Sequence, residues 1–336
     1  MQIVFLNSFE KPLGDGRIDN AQLSICEQQG TWSVVWNGAR HGSAEPSSLW
    51  YEGSSWEEMI TAFRHGVAVQ MGEGFKPLID GMLDERPAGK GGVISMQQCY
   101  GELHADHELF EALRDWRRIK ASSEKKSAYL VATNRTLLMI SSYVPHTLEE
   151  LAQIPGWGPG KSREYGMEVL ELTGARKQAR AFPLSWVSEA LEPKAYIQWL
   201  YKQKETKFKN KMDRQQSSRL ILEGINQERS LEQLLADTGL QRRELMERIE
   251  QLDQEGYDLE PLIAKELEGI SQEEQQRIWE ALKEEGDKYL KPILQKVYGT
   301  EPAPSAKVDL IYDRLRLVRM RFRRSAAGEA GGLEAM

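Results

Sequence analysis

The chain is predicted to be mainly α-helical and multi-domain, a small N-terminal α+β unit followed by two helical domains. Three observations lead there. Its 336 residues are long for one compact core. Strand-like composition is confined to the first quarter, in Met1-Gln-Ile-Val-Phe-Leu, Ala21-Gln-Leu-Ser-Ile-Cys and Trp32-Ser-Val-Val-Trp. After that, helix-start signals recur, with capping boxes at Thr147-Leu-Glu-Glu, Ser230-Leu-Glu-Gln and Ser271-Gln-Glu-Glu.

Residues 1–83 form the α+β unit. Gly14-Asp-Gly punctuates its strands, and the capping box Ser55-Trp-Glu-Glu58 opens a helix to about Met71. The unit loosely resembles a WGR-type module through Trp36, Gly38, Arg40 and Gly42. Trp32, Trp36, Trp50 and Trp56 are read as core residues. Residues 84–104, which include Pro87-Ala-Gly-Lys-Gly-Gly, are expected to be a linker. Residues 105–175 form the first helical domain, with helices from His107 to Lys120, near Asn134, at Thr147 and after Gly160. Residues 176–216 carry a basic connecting helix after Pro193. Residues 217–324 form the second helical domain, and 325–336 a disordered tail.

The net charge of −7 hides a segregation of charge. Residues 176–215 hold ten Lys/Arg against four Asp/Glu, and residues 314–324 hold six Arg and no acid. Residues 223–288 hold nineteen acids against eight bases. Basic segments can bind nucleic acid, or the acidic and basic segments can pair with each other. The apolar runs are too short to span a bilayer, no secretory signal is visible, and two cysteines cannot build a disulfide framework. A cytoplasmic setting, bacterial-type cytosol or nucleoid, is therefore expected.

Leu109-Phe-Glu-Ala-Leu-Arg-Asp-Trp-Arg-Arg118, Tyr129, Asn134-Arg-Thr-Leu-Leu-Met-Ile, Thr147-Leu-Glu-Glu-Leu151, Ile154-Pro-Gly-Trp-Gly-Pro-Gly-Lys161 and Tyr165-Gly166 follow one another in a specific order. This segment resembles the HRDC domain of RecQ-type helicases and ribonuclease D. One departure is Ser122-Ser-Glu-Lys-Lys126, where that family has a small-residue, proline-containing link. The resemblance implies a helical nucleic-acid-binding bundle without a helicase or nuclease engine of its own. Similarly, 217–322 resembles the helix-turn-helix region at the C-terminus of some RecQ helicases. Gly239 stands at its turn and Gln241, Arg242 and Arg243 begin the second helix, with Ala236 one residue closer to the glycine than usual. Glu244, Glu247 and Glu250 on that helix would repel phosphate.

The physical case for nucleic acid rests on the hairpin before the last bundle helix. Gly156, Gly158 and Gly160 let backbone N–H groups approach a phosphodiester, and the helix that starts there adds its positive end. Lys161 and Arg163 stand beside it, with Lys125, Lys126 and Arg135 as further cations. Trp157 and Tyr129 are candidates to stack bases, unless Trp157 plugs the hairpin into the core. Lys204, Lys207 and Lys211 share one helical face as a phosphate-tracking stripe or as a solvated face. The domain itself is balanced, nine bases against nine acids over 107–174.

Gly160-Lys161-Ser162 has the look of a phosphate loop, but Pro155 occupies the position of its first glycine and no strand precedes it. Cys99, His104, Asp106 and His107 lack the second pair a structural zinc needs. No catalytic residue, metal or cofactor is expected. The expected function is a non-enzymatic nucleic-acid-binding accessory protein of DNA repair, recombination or helicase-associated processes. Its partner would be single-stranded DNA, with RNA as the alternative. The competing reading is an adapter that binds a helicase or repair factor and touches nucleic acid weakly.

Overall fold

The computed structural model describes residues 1–40, 43–44, 47–83, 90–178, 180–299 and 305–334. They fall into two units, 1–209 and 210–336.

In the first unit, alternation in the N-terminal segments yields an antiparallel sheet. Strands β1 (Gln2–Pro12), β2 (Ile18–Gln28) and β3 (Thr31–Arg40) form a meander. Both β4 (Ser43–Ala44) and β5 (Ser48–Gly53) pair with β3, and β6 (Lys76–Pro77) pairs with β1. The register aligns Phe5, Ile25, Val34 and Tyr51 in one cross-strand row on the inner face. Helix α1 (Trp56–Gly72) covers that face with Met59, Phe63 and Val67, one turn apart. Its cap is the one expected, Ser55 Oγ accepting from the Glu58 N–H at 3.3 Å. Trp36 stacks on Trp50 at 5.3 Å within this core, whereas Trp56 is half-exposed against Trp32. Gly42 of the WGR-like pattern lies outside the described residues.

The expected linker is corrected over most of its length. Residues 84–89 lie outside the described residues, but Lys90–Leu103 is a helix, α2. Its glycine-rich start resembles a flexible spacer; its later turns carry Met96, Cys99 and Tyr100, an apolar stripe at helical spacing. Cys99 is fully buried, and burial pushes its thiol up to about 11. The bundle continues with α3 (His107–Ser123), α4 (Ala128–Val131), α5 (Asn134–Tyr143), α6 (Leu148–Leu151) and α7 (Pro159–Gly174). Tyr100 stacks on Tyr143, whose hydroxyl donates to the Gln97 carbonyl at 2.7 Å, so α2 is part of this bundle. Asp106, Thr133 and Thr147 cap α3, α5 and α6 by accepting from the N–H three residues on. Leu109, Leu113, Leu137, Ile140, Leu151, Ile154 and Val169 form the core between them. The stretch containing Tyr129 is the helical turn α4.

After α8 (Val187–Ala190) comes the long helix α9 (Pro193–Asn226). Within the first unit it is a brace. Tyr201 and Phe208 pack against the sheet core, and Trp199 Nε1 donates to Glu102 of α2 at 2.6 Å.

The second unit is helical: α10 (Leu231–Thr238), α11 (Arg242–Gln254), α12 (Glu260–Leu267), α13 (Gln272–Glu285), α14 (Leu290–Tyr298) and α15 (Ser305–Glu334). Both halves of the Ser230 capping box form, and Gly239 ends α10 in the left-handed region at φ 65°. Leu315, Leu317, Val318 and Met320 bury α15 against the other helices. Between them the six arginines of 314–324 meet the acidic region. Arg314 pairs with Glu274, Arg316 and Arg319 with Glu250, Arg321 with Glu260, Arg323 with Asp287 and Arg324 with Asp253. The basic stretch 314–324 is thus matched by the acidic region inside this unit. The tail expected to be disordered continues the α15 backbone helix to Glu334. Among the described residues no helix is long and apolar enough to cross a membrane.

Candidate nucleic-acid interface

The turn before α7 separates its residues into two sets. Hydrogen bonds from Ile154 N–H to Leu151 C=O (3.1 Å) and from Trp157 N–H to Ile154 C=O (3.0 Å) curl the chain. Gly156 makes this possible at φ 85°; a Cβ there would also meet Thr136 Oγ1 at 2.9 Å. Ile154 and Trp157 point inward, both about 2% exposed. Trp157 is therefore a core plug, which corrects its candidacy for base stacking. Its ring lies 6.5 Å from that of Trp116, and its Nε1 is buried without a partner. Gly158 and Gly160 point the other way, and a Cβ on either would meet nothing within 4 Å.

Helix α7 starts without a side-chain cap, with Gly158 as N-cap and Pro159 in the first turn. The Ser162 N–H bonds to the Gly158 carbonyl at 3.1 Å, but those of Gly160 and Lys161 have no partner among the described residues. Two free N–H groups and the positive helix end therefore face outward between two glycines that leave room for a ligand. Lys161 is half-buried and Arg163 exposed; neither makes an ion pair with a described residue.

A carboxylate network joins this start to the end of α3. Lys126 Nζ sits 3.1 Å from Glu124 and 3.3 Å from Glu164, and the Tyr165 hydroxyl donates to Glu124 at 2.8 Å. Lys120 Nζ and Trp116 Nε1 both reach Glu168, at 2.5 and 2.7 Å. The bonds to Glu124 and Glu164 hold the Lys126 ammonium above its usual range. The Tyr165 hydroxyl holds Glu124 below the carboxylate range, and Lys120 does the same for Glu168. These ties bring the turn after α3 beside the first turns of α7. Lys125, Lys126, Lys161 and Arg163 thus share one end of the domain. Lys125, at φ 52°, is exposed there without an ion-pair partner among the described residues. Tyr129 follows on α4, 66% exposed.

The other sequence candidates stand elsewhere. Arg135 donates to Glu102 at 3.1 Å and to Gln203 at 2.8 Å, so its charge is committed to the α2–α5–α9 junction. Lys204 lies over the Tyr201 ring at 5.6 Å, and burial lowers its proton affinity. Lys207 is exposed on the same brace, and exposed Lys211 belongs to the second unit. Of the α11 arginines, Arg242 is bound at 2.5 Å to both Glu232 and Asp313, and Arg243 to Glu247 at 2.8 Å. Arg242 is thus committed to a half-buried pair within the protein, whereas Arg243 stays exposed beside Glu247. The acids Glu124 and Glu164, which set the charge of the α3–α7 end, were missed in the sequence. Their only signal was an even balance of charge across the domain.

Residues 106–173 match the family model of the HRDC domain. This bears out the resemblance carried by Leu109–Arg118 and Ile154–Lys161. Over 71 residues the chain is 38% identical to the ATP-dependent DNA helicase UvrD2 of Mycobacterium bovis and of Mycobacterium tuberculosis. The shared stretch is 21% of this chain and 10% of each helicase, so the chain spans about a tenth of their length. No solved structure matches the chain.

Proposed function

We propose that this chain, which carries an HRDC domain at residues 106–173, is a nucleic-acid-binding accessory protein that contacts single-stranded DNA. The observation that carries the reading is the uncapped start of α7, flanked by open glycines and by Lys125, Lys161 and Arg163, which have no ion-pair partner among the described residues. Backbone N–H groups and unpaired cations read phosphate and not bases, so binding has low sequence preference. Tyr129 supplies a face for stacking. The shared segment with DNA helicases supports a role beside such enzymes in repair or recombination. The adapter reading gains from exposed Ile119, Leu130 and Met167 on the same domain, side chains that suit a protein partner.

Fluorescence anisotropy with a labelled oligothymidylate over a salt series tests the proposal. Affinity is expected to fall with salt, by a log–log slope of about −0.7 per neutralised phosphate. Changing Lys125, Lys161 and Arg163 together to glutamine should weaken binding and flatten that slope. An unchanged slope sinks this face; no binding at low salt leaves the adapter reading. A companion change, Glu164→Gln, releases one carboxylate from Lys126 and should tighten binding and steepen the slope. Unchanged affinity in that variant shows Lys126 to be outside the footprint.

A further inference from the structure

In the second unit, α11 and the C-terminal part of α9 face each other across a groove of about 420 Å³. Asp213 and Arg214 line one side; Glu244, Glu247 and Arg248 line the other. In contrast to the α15 arginines, neither Arg214 nor Arg248 makes an ion pair with a described residue. Among the described residues Arg248 reaches only Gln251 Oε1, at 3.5 Å, and its buried Nε has no partner. Burial and the nearby Arg214 charge lower the proton affinity of Arg248, more than Glu244 and Glu255 raise it. Three carboxylates line the same groove, but Glu247 is engaged by Arg243, and none comes within ion-pair distance of either groove arginine.

Two cations side by side in a partly buried groove repel each other unless an anion joins them. A buried N–H without a partner also needs an explanation. We infer that this groove binds a phosphate monoester, held by the guanidinium groups of Arg214 and Arg248. A monoester carries close to two negative charges and oxygens that match the guanidinium fork. The flanking acids disfavour a long polyanion, so the site suits a compact group and not a continuous backbone. Its source is either a free phosphate compound or the 5′-phosphorylated end of a nucleic acid strand.

The test uses the full chain. Melting temperature is measured in sodium phosphate against sodium chloride of equal ionic strength, and binding of 5′-phosphorylated and 5′-hydroxyl oligothymidylate by anisotropy. Phosphate should raise the melting temperature with a saturable midpoint. Arg214→Gln should weaken that midpoint by roughly tenfold or more, as losing a charge-assisted hydrogen bond does. Arg214 is exposed, so this change does not put folding at stake; Arg248→Lys, which loses the fork but keeps the charge, should act the same way. Preference for the phosphorylated strand, lost in Arg214→Gln, identifies a strand end as the source. Equal binding of the two strands together with a phosphate response identifies a free compound. No phosphate response, or an unchanged midpoint in Arg214→Gln, overturns the site. The phosphate arm contains no nucleic acid, so its result is independent of the HRDC reading.

Discussion

Trp157→Ala is expected to unfold the 106–173 domain. The indole is 2% exposed and packs among Ile154, Val169 and Trp116. Truncating such a side chain costs about 3–5 kcal/mol, a large share of what a domain of this size holds. Trp157→Phe should cost much less, because it keeps an aromatic ring in the core and removes an Nε1–H that has no partner among the described residues. Hydrogen exchange on the full chain, read over α3, α5 and α7, measures this directly. Unchanged protection in Trp157→Ala, with nucleic-acid binding lost, would show the indole to be a binding residue after all.

Glu250→Ala should destabilise the second unit by a similar amount. Glu250 is 15% exposed and pairs with Arg319, 10% exposed; Arg316, 17% exposed, lies 4.0 Å from it. Removing the carboxylate leaves the Arg319 guanidinium with only the Asp287 carbonyl, at 3.3 Å, and Arg316 with Asp313, at 3.9 Å, among the described residues; breaking a buried pair in this way costs about 3–5 kcal/mol. The combined change Glu250→Leu with Arg319→Met removes both charges and should recover most of the loss. Urea unfolding of the full chain, followed by exchange at α11 and α15, separates the cases. If Glu250→Ala unfolds at the parent's urea concentration, this pair contributes no stability, and α15 is held by Leu315, Leu317, Val318 and Met320 with its remaining ion pairs.

Helix starts were the most legible part of the fold. Ser55, Thr147 and Ser230 each cap through an N–H three residues away, a contact that spacing along the chain already contains. The order of the segment from Leu109 to Gly166 was legible for the same reason, since its turns are local. Helix α2 was not, because Gly91-Gly92 reads as a spacer while the stripe that makes it helical is defined by what it packs on, Met139 and Tyr143 of α5.

By itself, then, the sequence determined the helical class, the sheet at the N-terminus, the HRDC segment and the separation of acidic from basic stretches. All of these depend on composition or on residues a few positions apart. The tertiary structure alone decided which cations remain available. Lys126 meets Glu164 thirty-eight residues away, Arg242 meets Asp313 seventy-one away, and Arg135 meets Glu102 thirty-three away. It also decided that Trp157 turns inward while Gly158 and Gly160 face out. Partners so distant in sequence are chosen by how helices pack, and a cation's availability depends on the nearest carboxylate in space and not along the chain.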